Sequence, residues 1–443
     1  MPDSSLVQAL AASFVAGEMT TSQVVARGAS TLGRRWRWLS PLAQRYIEFF
    51  SGRTRPRRRD VIAFLLRDQG FLRASSKYSD ELTIASRVTG PQRMQPAGPA
   101  AGWDIPPIES AGALAEWLAV DAREQQWFAD LKGLASREWN SRLNHYKYQV
   151  VSKSDGGMRL IEAPKTRLRA IQRQILSGIL ENIPVHPAAH GFVKGRSIKS
   201  FVAPHVGQQI ILRMDLKDFF PSFRAARVQS FFRTLGYPES VANLLGGICT
   251  NAVPRCAWKN CGQNTDLAQL REVRTLYSRP HLPQGAPTSP ALANLLTYRL
   301  DCRLMGLARS TCAKYSRYAD DLAFSGDAEF ERRIERFSTH VAAILIEEGF
   351  GANYRKTRIM RRGVRQHLAG VVVNRHINVK RCDFDRLKAI LTNCVRLGPE
   401  SQNLSAHRQF RAHLEGRVGF VEMVNPARGS HLRKIFQQIP WRQ

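Results

Sequence analysis

The residues with the plainest chemical capacity are Asp320 and Asp321, in Tyr318-Ala-Asp-Asp321 within the stretch Ala313 to Gly326. The two carboxylates interrupt two short aromatic and apolar runs, a pattern that suits a β-hairpin whose tight turn carries the Asp pair. Such a pair can be purely structural, because Asp side chains in turns bond nearby backbone. It can also be part of a metal site: two carboxylates about 4 Å apart repel by roughly 4 kcal/mol at an effective dielectric of about 20, and a hard divalent cation held through oxygen removes that repulsion. A third carboxylate would separate the readings. The stretch Gln209 to Phe223 offers one, since its β-rich apolar run ends at Asp215, at the tip of a buried strand, and Phe220 opens the next element.

Other groups with chemical potential surround these in the chain. Lys153 and Arg159 flank Ser154-Asp-Gly-Gly157 between two strand-like runs, Tyr146 to Lys153 and Met158 to Ala163. Such a hairpin either closes over a triphosphate or simply has charged ends. In His281-Leu-Pro-Gln-Gly285, Gly285 permits close backbone approach, and Ser289 followed by Pro290 reads as a helix start. Phe330, Ile334, Phe337, Val341, Ile344 and Leu345 define an amphipathic helix, and Lys356 follows it, returned toward the same sheet by a normal crossover. Gln366 to Asn374, with His367, Leu368 and Gly370, reads as one strand bent at its Gly. Cys256 and Cys261 lie in a polar insertion at about 249–280, without the Cys-x-x-Cys pair or fourth ligand of an ordinary zinc site.

The elements that must position these groups are read from periodicity. Residues 1–140 are expected to form a helical N-terminal extension, with Trp36, Trp38, Leu39, Leu42, Ala43, Tyr46, Ile47 and Phe50 recurring near helical spacing and a second apolar run from Val61 to Phe71. Between them lies Arg53-Thr-Arg-Pro-Arg-Arg-Arg59, either a phosphate contact or a solvated face. Thr89 to Pro107 reads as a linker and Ala113 to Leu134 as one amphipathic helix. Near the end, Phe384, Leu387, Ile390, Leu391 and Cys394 mark one helix face, and Phe410, Leu414, Val418 and Val421 another. The chain of 443 residues carries 66 Lys and Arg against 36 Asp and Glu, a formal charge of +30 with a pI near 10.7. That excess points to a polyanionic partner. Without an apolar run long enough to span a bilayer, no membrane partner is expected, and seven cysteines without secretory context read as reduced thiols in a cytoplasmic protein.

Taken in order, Asp215 with Phe220, the Leu282-Pro-Gln-Gly285 loop, Tyr318-Ala-Asp-Asp321, the Lys356 segment and the strand around Gly370 resemble a bacterial reverse transcriptase over roughly residues 146–375. His190-Gly-Phe with Gly195-Arg-Ser-Ile198, Leu282 to Asn294 and the helical tail resemble the retron type in particular. The chain departs from that type where Phe201-Val-Ala-Pro-His205 replaces Asn-Ala-x-x-His, and where Leu368-Ala-Gly370 replaces Val-Thr-Gly.

The resemblance implies an α+β, right-hand polymerase fold with fingers at 141–207, a palm with an antiparallel sheet at 208–365, and a primer-grip strand with helical thumb at 366–443. It implies two Mg²⁺ ions held by Asp215, Asp320, Asp321 and the Leu216 carbonyl, with Lys356 as a proton donor to pyrophosphate. Lys153, Arg159, Phe220, Gln284 and Gly285 would meet the incoming nucleotide, with Phe220 excluding a 2′-hydroxyl. Tyr318, His367, Leu368 and Gly370 would meet the primer and template. The implied partners are deoxynucleoside triphosphates, a structured non-coding RNA, the RNA–DNA duplex and a protein effector of antiphage defence. Competing readings are a non-retron reverse transcriptase, of another defence system or serving an intron, and a non-catalytic RNA-binding protein on the same scaffold. Retention of all three Asp weighs against the last.

Overall fold

A computed structural model describes residues 3–51, 56–87, 94, 96, 98–137, 144–152, 158–258 and 267–441. The chain passes back and forth between two units, one made of Met1–Ile183 with Phe223–Leu292, the other of Pro184–Ser222 with Ala293–Gln443.

The first unit opens with helices α1 (Ser4–Val15), α2 (Thr21–Leu32), α3 (Leu39–Phe50), α4 (Arg58–Leu65) and α5 (Gln69–Lys77), which bury Leu10, Phe14, Leu42, Tyr46, Val61 and Phe71 in a common core. Asp3, Thr20 and Asp68 accept first-turn N–H groups of α1, α2 and α5, which is why these helices start where they do. The apolar run from Val61 to Phe71 is therefore split at Asp68. The helix expected from Ala113 to Leu134 is likewise divided into α6 (Ala111–Trp117), α7 (Ala122–Ala129) and α8 (Leu134–Arg137). Ala119 turns the chain with φ +51°, and the Asp121 carboxylate accepts the Glu124 N–H at 2.7 Å to start α7.

Strands β1 (Tyr146–Ser152) and β2 (Met158–Pro164) form the expected antiparallel hairpin, followed by α9 (Thr166–Gly178), which buries Leu168, Ile171 and Ile175. The hairpin tip, including Lys153, lies outside the described residues. The chain then enters the second unit through α10 (Ile198–Val202), β3 (Ile210–Lys217) and α11 (Phe219–Ser222), and returns to the first as α12 (Ala225–Thr234), α13 (Glu239–Ile248) and α14 (Leu267–Tyr277). The stretch at 249–280 is more than a polar insertion. Val253, Trp258, Leu270 and Tyr277 bury against Leu160 of β2. Helix α15 (Ser289–Leu296) carries the chain across again.

The second unit continues with α16 (Tyr298–Ser310), β4 (Lys314–Tyr318), β5 (Asp321–Gly326), α17 (Ala328–Glu347), β6 (Gly351–Ala352) and β7 (Arg358–Arg361). Its sheet is antiparallel in the order β4-β5-β3-β6, with β7 also paired to β3. Helix α17 buries Phe330, Ile334, Phe337, Val341 and Leu345 of the face read from the sequence, while Ile344 at its margin is half-buried. Gln366 to Asn374 is a hairpin rather than one bent strand: β8 (His367–Leu368) and β9 (Val371–Val372) flank Ala369 and Gly370, both at positive φ. With β10 (Asn378–Val379) they form a small sheet whose Leu368 and Val371 share a core with α18 (Arg381–Leu397), α19 (Phe410–Val424) and α20 (Pro426–Gln437). The fold is thus α+β, with a helical N-terminal region and a sheet-and-helix core. Among the described residues no helix is long and apolar enough to cross a membrane.

Candidate active site

Strand β3 carries two functional side chains on one face, because alternate residues of a strand point the same way: Arg213 and Asp215. Asp215 pairs in register with Asp321 of β5. The Arg213 guanidinium grips Asp321, with Nε 2.9 Å and Nη2 2.7 Å from Oδ1 and Nη2 3.0 Å from Oδ2. In the β4–β5 turn Ala319 adopts φ +55°, Asp320 follows it, and the Asp320 carbonyl accepts the Leu216 N–H at 2.9 Å. Lys356 returns to the sheet as expected, placing Nζ 3.6 Å from Asp215 Oδ2. Asn353 binds the same residue twice, its N–H donating to the Asp215 carbonyl at 2.7 Å and its Nδ2 to Oδ2 at 3.1 Å.

These carboxylates repel one another. Burial first, and then the charges of Asp215 and Asp321, push the Asp320 carboxyl up to about 6. Asp321 is also raised by burial, against the opposing pull of Arg213. Among the described residues no three His, Cys, Asp or Glu side chains converge as a finished metal cage. Asp215 is turned to Asn353 and Lys356, and Asp321 to Arg213. The donor set nevertheless fits a hard divalent cation: its ligands are oxygens, and a cation would offset both the burial and the repulsion that raise Asp320.

A buried scaffold holds the turn. Arg317 of β4 has no exposed side-chain surface and makes a two-pronged ion pair with Asp301 of α16, Nε–Oδ1 at 2.8 Å and Nη2–Oδ2 at 2.7 Å. Its Nη1 donates to Asn294 Oδ1 at 2.9 Å and to the Ala319 carbonyl at 3.1 Å, and Tyr315 donates to Asp301 at 2.8 Å. Burial pulls the Arg317 guanidinium down, but Asp301 outweighs it and holds the group above its ordinary value. Gly191 packs so tightly on this turn that a Cβ would lie 2.7 Å from the Ala319 nitrogen. His205, all that remains of the retron Asn-Ala-x-x-His, is buried, with Nδ1 2.6 Å from Ser325 Oγ and Nε2 2.7 Å from Ser316 Oγ.

The remaining sequence candidates are distributed as follows. Phe219 is buried against Phe350, whereas Phe220 is half-buried beside Phe192, their ring centroids 6.4 Å apart. Tyr318 is half-buried, with Phe201 at 5.7 Å. Leu368 is wholly buried, and the buried Nδ1 of His367 beside it has no hydrogen-bond partner among the described residues. In the first unit, Arg159 is exposed on β2, and the Gln284 carbonyl accepts the Glu162 N–H at 2.8 Å. Gly285 has φ +130°, and a Cβ there would lie 2.9 Å from the Glu162 carbonyl oxygen. Beneath that loop Glu162 is fully buried between His281 Nε2 at 2.9 Å and Asn251 Nδ2 at 2.7 Å. Cys256 is a free thiol, and Cys261 lies outside the described residues.

Arg213, Asn353, Arg317, Asp301 and Glu162 were not singled out from the sequence. Only Arg213 had a local signal, its spacing of two from Asp215 on a strand.

A family described as "Reverse transcriptase (RNA-dependent DNA polymerase)" matches residues 151–384, a span that contains the whole Asp cluster, Arg213 and Lys356. The chain is 43% identical over 297 residues to the retron Mx65 reverse transcriptase of Myxococcus xanthus, covering 66% of this chain and 64% of that protein. The chain belongs to the retron-type reverse transcriptases. It is also 36% identical to the retron Mx162 reverse transcriptase of the same organism, covering 73% of this chain and 65% of the relative. With the retron Ec86 reverse transcriptase of Escherichia coli it shares 32% identity, over 66% of this chain and 80% of that enzyme. The matches thus span just under two thirds of each Myxococcus relative. In this retron-type chain the Asp cluster, its arginine grip and its buried scaffold all lie within one unit.

Proposed function

We propose that the chain is an RNA-directed DNA polymerase that copies a structured RNA into DNA. The observation that carries this reading is the pairing of Asp215 with Asp321 across β3 and β5, beside an Asp320 whose carboxyl is raised by burial and then by the charges of those two neighbours. Family membership supports it. On this reading the second unit's sheet is the palm at 208–365, residues 141–207 are the fingers, and 366–443 hold the primer grip and thumb.

Asp215, Asp320, Asp321 and the Leu216 carbonyl would hold two Mg²⁺ ions. Bound there, the metal supplies Lewis acidity to the primer 3′-hydroxyl and neutralises charge on the triphosphate. The primer 3′-hydroxyl gives up its proton to solvent water, its oxygen bonds to the α-phosphorus as the bond from that phosphorus to the bridging oxygen breaks, and pyrophosphate leaves. Arg213 keeps Asp321 oriented. Lys356, next to Asp215, gives a proton to the departing pyrophosphate. Arg159 and Lys153 bind the triphosphate, Gln284 and Gly285 line the nucleotide and template side, and Tyr318 with His367 to Gly370 bears on the primer. The Phe220 ring lies against the sugar and leaves no room for a 2′-hydroxyl.

Asp320→Asn removes one charge while keeping size. Primer extension on an RNA template with Mg²⁺ should fall by at least about a thousandfold. Wild-type rates from correctly folded Asp320→Asn protein would reject the proposal.

A further inference from the structure

The N-terminal region holds a second feature that the polymerase reading leaves unused. A cavity of about 980 Å³ opens among α3, α4, α5 and α12, lined by five arginines and two aspartates. Both aspartates are already engaged. Asp68 is bound by Arg45 at 2.6 and 2.8 Å and by the Phe71 N–H at 2.7 Å. Asp60 accepts the Arg57 N–H at 3.2 Å and lies 3.5 Å from Arg59.

At the cavity wall Arg233 is only 5% exposed, yet among the described residues its buried Nε and Nη1 have no hydrogen-bond partner. Burial, and next the charge of Arg57, lower this guanidinium to about 10 against the opposing pull of Glu239 and Asp60, so it remains a cation at neutral pH. A buried cation with two idle N–H groups is costly unless an anion completes it. Arg57, Arg67 and Arg73 line the same space. So do two aromatic rings, Phe49, 51% exposed, and Phe64, with centroids 5.4 Å apart. Guanidinium groups grip phosphate oxygens in their planar fork, and an exposed ring beside them offers a base a surface to stack on.

We propose that this cavity is a nucleotide-binding site separate from the Asp cluster, in which Arg233, Arg57, Arg67 and Arg73 hold a phosphate and Phe49 with Phe64 receives the base. The occupant is either a free nucleotide or one residue of a single strand, since both present the same phosphate and base. The assignment rests on the cavity's own residues and is independent of the polymerase proposal.

The test uses the full-length protein and a short 5′-phosphorylated oligouridylate carrying 4-thiouracil, photocrosslinked and mapped by mass spectrometry, with uridine monophosphate as competitor. Crosslinks should fall in the peptides that span Leu39–Lys77. Arg67→Ala with Arg73→Ala, both at exposed positions, should lower affinity by about tenfold and flatten the log K against log salt slope by about 1.4. Phe49→Ala should cost about tenfold without changing that slope. Primer extension on a generic template should be unchanged in every variant, which keeps the outcome distinct from that at Asp320. Competition by uridine monophosphate identifies a free nucleotide as the occupant, and crosslinking that resists it identifies a strand. Unchanged affinity in both the arginine pair and Phe49→Ala, or crosslinks confined to other peptides, would overturn the assignment.

Discussion

Replacing Asp301 by Asn isolates what the buried ion pair contributes to the Tyr318–Asp321 turn. The change keeps shape and one oxygen but removes the charge facing a guanidinium with no exposed surface, 2.7 and 2.8 Å away. With charge centres about 4 Å apart at an effective dielectric of about 20, the lost attraction is roughly 4 kcal/mol, within the 3–5 kcal/mol that breaking a buried pair from one side typically costs. In urea unfolding followed by circular dichroism, that loss should move the midpoint down by about 1–2 M. A second variant separates stability from positioning. Asp301→Leu with Arg317→Met replaces both charges by apolar groups, a change that is often neutral or stabilising by about 1–4 kcal/mol. It also removes the donor to the Ala319 carbonyl, so primer extension should stay at least about tenfold down while stability returns, equivalent to about 1.4 kcal/mol on the barrier. An Asp301→Asn loss below about 1 kcal/mol would refute the assignment of the pair as a buried support, and full activity in the restored double variant would refute its positioning role.

Three further outcomes are expected. Gly191→Ala puts a methyl 2.7 Å from the Ala319 nitrogen and should cost about 1–3 kcal/mol of stability together with slower primer extension; an unaltered rate would show that the turn gives way freely. His205 is held down to about 3, by burial above all, so the folded protein keeps it neutral while the unfolded chain protonates it near 6.5. Its stabilising contribution is complete above that pH and is lost as pH falls toward 3, about 2 kcal/mol by pH 5; urea titrations should show a shallower acid loss for His205→Leu than for wild type, and parallel curves would contradict this. Phe220→Ala should raise ribonucleotide incorporation relative to deoxyribonucleotides by about tenfold or more, and identical discrimination in a primer-extension assay would remove Phe220 from the sugar-gating role.

What could be read ahead of the structure was local. The face of α17, the β1–β2 hairpin and the strand ending near Asp215 follow from apolar spacing and turn residues, and the return of Lys356 follows from the handedness of crossovers. What escaped were partnerships made by tertiary contact. Arg317 lies between Tyr315 and Tyr318 and reads as a solvated strand residue until Asp301, 16 positions earlier on a helix, meets it in the interior. Glu162 looks like one more charged hairpin residue until His281 and Asn251 enclose it. The break between α6 and α7 was hidden because apolar spacing continues through it; Asp121 ends the pattern as a cap, a role spacing cannot distinguish from a solvated acid. Val253, Trp258 and Tyr277 were masked by the polar residues around them, although three large rings or branches in a short stretch usually find a core.

The division of each unit between two distant stretches of chain sets a schedule for biosynthesis. Strand β3 is made well before the strand it pairs with: Asp321 emerges 106 residues after Asp215, the difference between their numbers. At ordinary translation speeds of roughly 5–20 residues per second, the largely apolar segment Ile210 to Met214 waits about 5–20 s without its neighbours. For that interval the future centre of the sheet is an open edge attached to a ribosome, the condition in which strands pair with the wrong chain. Yield of folded protein should therefore depend on translation rate and chaperone supply more than on the stability of the finished sheet.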